Sequence, residues 1–173
     1  NGSMGFDAFT KIAGFQHYYG RNEYNNMADF DGIWGIWDEP FMQYYAHGMD
    51  KMKEPFFATL FSVSSHHPYQ LPDKYKGVFP EGRIPINKCV RYTDHALQKF
   101  FDTARKMPWF RNTLFVITAD HSVDSDIKEY YTSVNRFAIP ILFFKGDGSM
   151  KGVDDRLAQQ IDIMPTILSY LNY

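Results

Sequence analysis

The chain has 173 residues, enough for one domain with a real core. Its 45% hydrophobic and 22% charged residues are those of a folded domain, and a net charge of -2 leaves no basic footprint for nucleic acid. The one cysteine, Cys89, excludes a disulfide framework within the chain, and no apolar run is long enough to span a membrane.

Residues 1–37 are rich in Gly, Asn, Tyr and Asp and follow neither a helical nor a strand period. They are expected to form a long ordered loop region, in which Phe9, Ile12, Phe15, Tyr18 and Tyr19 make a short helix or an aromatic pad. Asp38 is placed as the N-cap of a helix over 38–53, with Glu39-Pro40 in its first turn and Phe41, Tyr44, Tyr45, Met49 and Met52 at helical spacing. Phe56 to Val63 is a continuous apolar run, predicted as a buried strand that ends in Ser64-Ser65-His66-His67.

Pro72, Gly77, Pro80, Gly82 and Pro85 mark residues 70–85 as a surface loop. Pro85 opens a long helix that Pro108 stops. Ile86, Val90, Thr93, Leu97, Phe100, Phe101 and Ala104 are predicted to face the sheet, with Cys89 a plain buried thiol. A second buried strand, Leu114 to Thr118, ends in Asp120-His121. Strand, helix and strand imply a right-handed crossover with parallel strands. On that expectation His66 and Asp120-His121 share one sheet edge, where open α/β sheets place ligands.

Asp120 and His121 are good ligands for a divalent cation. The alternative is that Asp120 caps the next element and His121 is an ordinary loop histidine. The polar stretch 123–135 is expected to be a loop with a short helix. A further strand follows at 137–144, with Pro140 marking an edge or a bulge. Pro165 then sits in the first turn of a terminal helix.

Leu114 to His121 resembles the metal-binding strand end of the alkaline phosphatase and sulfatase superfamily. His66-His67-Pro68-Tyr69 resembles the substrate-side His-x-Pro-aromatic segment of lipoteichoic acid synthase-like phosphoglycerol transferases. Arg91-Tyr92-Thr93-Asp94 and Gln160 to Thr166 resemble two further segments of these domains, and all stand in the family's order. In Asp29 to Asp38, Trp34 matches a tryptophan and Asp29 an aspartate that line the family's head-group pocket. Packing of both tryptophans in the interior is the competing reading. Ile36 stands where the family often has an arginine.

The resemblance implies an α/β fold, namely part of a three-layer sulfatase-like domain with a mainly parallel sheet and flanking helices. It implies one domain over 1–173, the C-terminal part of a larger catalytic domain, with 1–37 on the substrate side. Asp120 and His121 become metal ligands, and His66, Trp34 and Asp29 substrate-binding residues. The metal is expected to be Mn, with Mg, Zn or Ca as alternatives. The nucleophile, a Thr or Ser, is expected upstream, since Thr10, Thr59 and Thr166 lack a matching context. The function implied is a phosphoglycerol or related head-group transferase, or a sulfatase-family hydrolase. Its substrate is a phospholipid or glycan head group, and its site is extracytoplasmic on a protein held in the cell membrane by an N-terminal segment. The other reading, favoured by Ile36, is a non-catalytic sulfatase-fold module that binds lipid or glycan head groups.

Overall fold

The computed structural model describes residues 3–123 and 125–173. Asn1-Gly2, at the chain's opening, and Asp124, in the predicted 123–135 loop, lie outside the described residues. The chain divides into two compact units, Asn1–Pro108 and Trp109–Tyr173.

In the first unit α1 (Phe6–Ile12) is the short helix expected around Phe9 and Ile12, and a second one, α2 (Arg21–Tyr24), interrupts the stretch that sequence alone reads as loop. α2 ends at Asn25, whose φ of 55° is the left-handed conformation that asparagine tolerates at a helix end. The frame of this unit is a pair of packed helices, α3 (Asp38–Met49) and α4 (Ile86–Ala104). Pro40 fits the first turn of α3 because the N–H it lacks has no partner there. Met42, Ala46 and Met49 recur at helical spacing and are buried. α3 stops at Met49, short of the predicted 53, in a turn where Met52 donates to the Met49 carbonyl.

The buried stripe of α4 is Cys89, Tyr92, Ala96, Phe100 and Ala104. Val90, predicted inside, is half exposed. The stripe lies one position away from the large aliphatics because the small Cys89, Ala96 and Ala104 allow another backbone to come close. Within this unit α4 packs on α3. Tyr45 stacks on Phe100 at 5.9 Å, and the Thr103 hydroxyl donates to Gln43 Oε1 at 2.7 Å. Cys89 is fully buried, and burial pushes its thiol up to about 11.

At the first turn of α3, Glu39 pairs with Lys74 at 2.9 Å and accepts the Tyr75 hydroxyl at 2.7 Å. The same hydroxyl lies 3.0 Å from His95 Nε2. Burial pushes the Glu39 carboxyl up, but the hydrogen bonds from Lys74 and Tyr75 and the Lys74 charge outweigh it, so it is held below the ordinary glutamate value. Burial and the bond to Glu39 push Tyr75 up to about 12. A carboxyl depressed in the folded state contributes stability above its unfolded value and loses it as pH falls through the folded one. The melting-temperature gap between the protein and Glu39→Gln is therefore expected at neutral pH and should close below the ordinary glutamate range. A gap that persists unchanged into acid would remove Glu39 from the account.

Residues 56–63, predicted as a buried strand, join no strand ladder among the described residues, and Phe57 and Phe61 are exposed. In the second unit β1 (Leu114–Thr118) pairs with β2 (Ile141–Lys145), antiparallel, Leu114 opposite Lys145 and Thr118 opposite Ile141. This two-stranded antiparallel ladder is the sheet of the described residues, where a mainly parallel one was expected. Parallel pairing needs a long crossover. Among the described residues, the link from β1 to β2 holds only short 3-10 turns at Lys128–Tyr131 and Asn135–Phe137 and no crossover helix. β2 begins just after Pro140, whose missing N–H keeps it out of the ladder. Phe110, Phe115 and Phe144 cluster at 5.4–6.1 Å between ring centroids. Gly146 passes so close to Phe110 that a Cβ there would lie 2.4 Å from its carbonyl oxygen. α5 (Ile163–Tyr170) closes the chain with Pro165 in its first turn. Among the described residues, no helix is long and apolar enough to cross a membrane.

Candidate functional site

Asp31 organises the segment that carries Trp34. Its Oδ1 accepts the backbone N–H groups of Ile33, Trp34 and Gly35 at 2.8, 2.8 and 3.0 Å. Its own N–H donates to the Gly35 carbonyl at 2.9 Å, and Phe30 bridges Ile36 in antiparallel fashion. The resulting tight loop presents Trp34. The indole lies against the His66 ring, centroids 3.9 Å apart, and its Nε1–H donates to the His67 carbonyl at 2.7 Å. Trp34 and His66, predicted separately, are thus brought together. Trp34 is 38% exposed, so it is not a packed core residue.

His66 Nδ1 lies 3.2 Å from the His67 carbonyl oxygen. A carbonyl only accepts, so Nδ1 carries the hydrogen and the neutral ring keeps its lone pair on Nε2. His67 instead packs its ring on Tyr69 at 5.7 Å. Tyr69 has a φ of 60°, a sparsely populated conformation for a non-glycine residue and the mark of a tightly held loop.

The loop that carries His66 is tied to the helix pair by Asp38, which is only 2% exposed. Asp38 Oδ1 accepts the N–H groups of Val63 and Ser64 at 3.0 and 3.1 Å, and Oδ2 accepts the Thr93 hydroxyl at 2.8 Å. The Asp38 N–H donates to Ser64 Oγ at 2.9 Å. Asp38 is therefore the first residue of α3 and not its N-cap, a position held by Trp37. Sequence reasoning missed this role, although an aspartate ahead of a helix and a Ser-Ser pair after an apolar run were both visible.

Asp29 is engaged by its own segment, accepting the Tyr24 hydroxyl at 2.6 Å and Asn26 Nδ2 at 2.8 Å. Burial, and then the bond to Asp29, push the Tyr24 hydroxyl well above its ordinary value. Asp29 also borders a cleft of about 890 Å³, with Trp37, Tyr69, Lys74, Lys76 and Lys88 around it. Each lysine already faces a carboxylate: Lys74 Glu39 at 2.9 Å, Lys76 Asp73 at 2.6 Å, Lys88 Glu81 at 2.9 Å. Ile36, in the place of the family arginine, is 5% exposed and offers the site no charge.

In the second unit Asp120 and His121 follow β1 with both side chains exposed. The His121 N–H donates to Asp120 Oδ1 at 2.9 Å, and His121 Nδ1 donates to the Ser122 carbonyl at 2.7 Å. The neutral ring thus keeps its Nε2 lone pair, 3.5 Å from Asp120 Oδ2. Two donors bonded to one tetrahedral cation stand roughly 3.4 Å apart, so the pair fits a shared divalent ion. Among the described residues, no group of three or more His, Cys, Asp or Glu side chains could hold a metal. Gln160, just ahead of α5, was not singled out from sequence. Its Nε2 donates to the carbonyls of Ala119 and Asp120, each at 2.8 Å, and fixes the backbone of the pair. Asp162 accepts the Gln159 N–H at 2.7 Å in a local turn.

The crossover that would put His66 and Asp120-His121 on one parallel sheet edge is absent from the described pairing. His66 belongs to the first unit and the Asp-His pair to the second.

An α/β domain with a strand-end Asp-His pair is the class these features define, and comparison with known proteins names it. The sulfatase family model matches residues 2–173, and the chain belongs to that family. It is similar to lipoteichoic acid synthase 1 of Bacillus subtilis (strain 168), 25% identical over 181 residues. It is also similar to lipoteichoic acid synthase of Staphylococcus aureus (strain USA300), 26% identical over 182 residues. Each match covers 94% of this chain and 28% of the relative, so the chain spans little more than a quarter of those proteins. Among solved structures it matches a protein in the alkaline phosphatase superfamily from Vibrio parahaemolyticus. The TM-score is 0.76 at 32% identity, over 91% of this chain and 39% of that one.

Proposed function

We propose that this chain is part of a metal-dependent phosphoglycerol or related head-group transferase, or of a sulfatase-family hydrolase, acting on phospho- or sulfo-esters. The observation that carries the reading is the Asp120–His121 pair, with Nε2 and Oδ2 spaced for one divalent ion. Asp120 and His121 would hold the metal, with Mn the first choice for a mixed carboxylate–imidazole site and Mg, Zn or Ca the alternatives. A divalent ion there supplies charge stabilisation to ester oxygens and lowers the pKa of a hydroxyl nucleophile. Two protein ligands hold a metal weakly, and the reading takes further ligands and the nucleophile from the rest of a longer protein, of which the relatives, covered to 28%, are examples.

His66 acts on the substrate side. Its Nε2 accepts a proton in the neutral ring and, once protonated, donates to a phosphoryl oxygen. Trp34 and Asp29 belong to the same substrate-side segment. The longer relatives support a substrate that is a phospholipid or glycan head group and a site outside the cytoplasm on a membrane-anchored protein. The fold match supports a three-layer domain whose mainly parallel sheet extends beyond the strands of this chain.

Ile36 favours a second reading, a head-group-binding sulfatase-fold module without turnover. The two separate in the intact protein, incubated with fluorescent phosphatidylglycerol. The transferase reading expects release of diacylglycerol that a chelator stops and Mn restores. Release indifferent to chelation would remove the metal. Lipid binding with no release under any of the four cations would leave the module.

A further inference from the structure

We propose that Asp31 is a positioning residue for His66, acting through Trp34. The inference rests on the reading of His66 as the substrate-side histidine, but its geometry stands apart from any turnover. The Asp31 carboxylate gathers three consecutive N–H groups, including that of Trp34 itself. Charge-assisted bonds of this kind fix a loop more firmly than neutral ones. With the backbone at 33–35 fixed, the indole has two contacts, both across 32 or more positions of sequence: its ring on His66 and its Nε1–H on the His67 carbonyl. The carbonyl that Trp34 engages is the one that His66 Nδ1 engages. Trp34 therefore holds both the plane of the imidazole and the acceptor that sets its tautomer. Nε2 is left as the atom that meets substrate. Nothing else among the described contacts ties the 31–35 loop to the His66 side chain, and Asp31 is where that tie begins.

The test reads the ring contact directly. A histidine ring held 3.9 Å from an indole, tilted 50° to it, has its carbon-bound protons displaced upfield by the ring current. In the protein labelled at histidine, the His66 resonances are identified by their loss in His66→Gln. Their upfield displacement is expected to vanish in Trp34→Leu, which removes the ring current, to fall to the same value in Asp31→Ala, and to survive in Asp31→Asn, whose Oδ1 still accepts the three N–H groups. Asp31→Glu, which keeps the charge but overshoots the amides, should behave as Asp31→Ala and serves in its place if that variant does not fold. If Asp31→Ala keeps the displacement and only lowers the melting temperature, Asp31 is structural and the proposal falls. Loss of the displacement in a protein that never turns over a phosphoester would leave this inference standing and sink the proposed function alone.

Discussion

Asp38→Ala is expected to destabilise the protein by about 3 kcal/mol or more, because it strands three donors in a buried place. The Val63 and Ser64 amides and the Thr93 hydroxyl all point at this carboxylate, which is 2% exposed. Each buried donor left without a partner costs roughly 1–3 kcal/mol, more than the net value of the bond it made. Asp38→Asn should cost less, since its Oδ1 still serves the two amides and only the Thr93 hydroxyl must turn. The urea midpoint measures both, with the slope expected to stay constant. The lost bonds also hold the loop that carries His66, so catalysis by the intact protein should fall even where the variant remains folded. A midpoint for Asp38→Ala close to that of the parent would mean that water satisfies these donors, and the role assigned to Asp38 would be wrong.

The parts of the fold that sequence makes legible are those with a long local period. α4 is visible from Pro85 to Pro108 because nineteen residues keep one rhythm between two proline stops. Its partner is not visible. Period alone says that a face is buried, not what buries it: α3 packs on α4, and the Cys89 thiol lies against the Gln70 carbonyl. β1 is visible because Leu114 to Thr118 is apolar throughout. Its direction relative to a neighbour is not, because a run apolar on both faces carries no information about pairing. Phe56 to Val63 has the same composition yet forms no described ladder, which makes the point from the other side.

The site follows a similar division. Residues with side-chain chemistry, such as His66, Asp120 and His121, can be found one by one from type and position after an apolar run. The residues that orient them, Asp31, Asp38 and Gln160, use their side chains on backbone N–H and C=O groups. Such partners exist at every position, so a sequence gives no sign of which are taken. Asp29 shows the converse. It attracts attention as the match to an aspartate of the family's head-group pocket, and the structure has its carboxylate accepting from Tyr24 and Asn26.

Asp120→Asn in the intact protein is expected to lower turnover by about a thousandfold, the several kcal/mol that a bound cation contributes to a developing charge. The substitution is close to isosteric. Asparagine Oδ1 can still accept the His121 N–H that Asp120 accepts at 2.9 Å, and Gln160 holds the backbone through carbonyls that do not change. The side chain is exposed, so stability should move by less than about 0.5 kcal/mol. What is lost is one negative charge beside the His121 Nε2 lone pair. His121→Gln should produce a loss of similar size, and the double variant little more than either, because ligands of one ion act as a unit. Mn titration followed by electron paramagnetic resonance should report weakened binding in step with turnover. An Asp120→Asn protein that keeps its turnover would show that the Asp-His pair is a turn at the end of β1 and nothing more. A protein that binds Mn as before yet loses turnover would place Asp120 at the substrate and not at the metal.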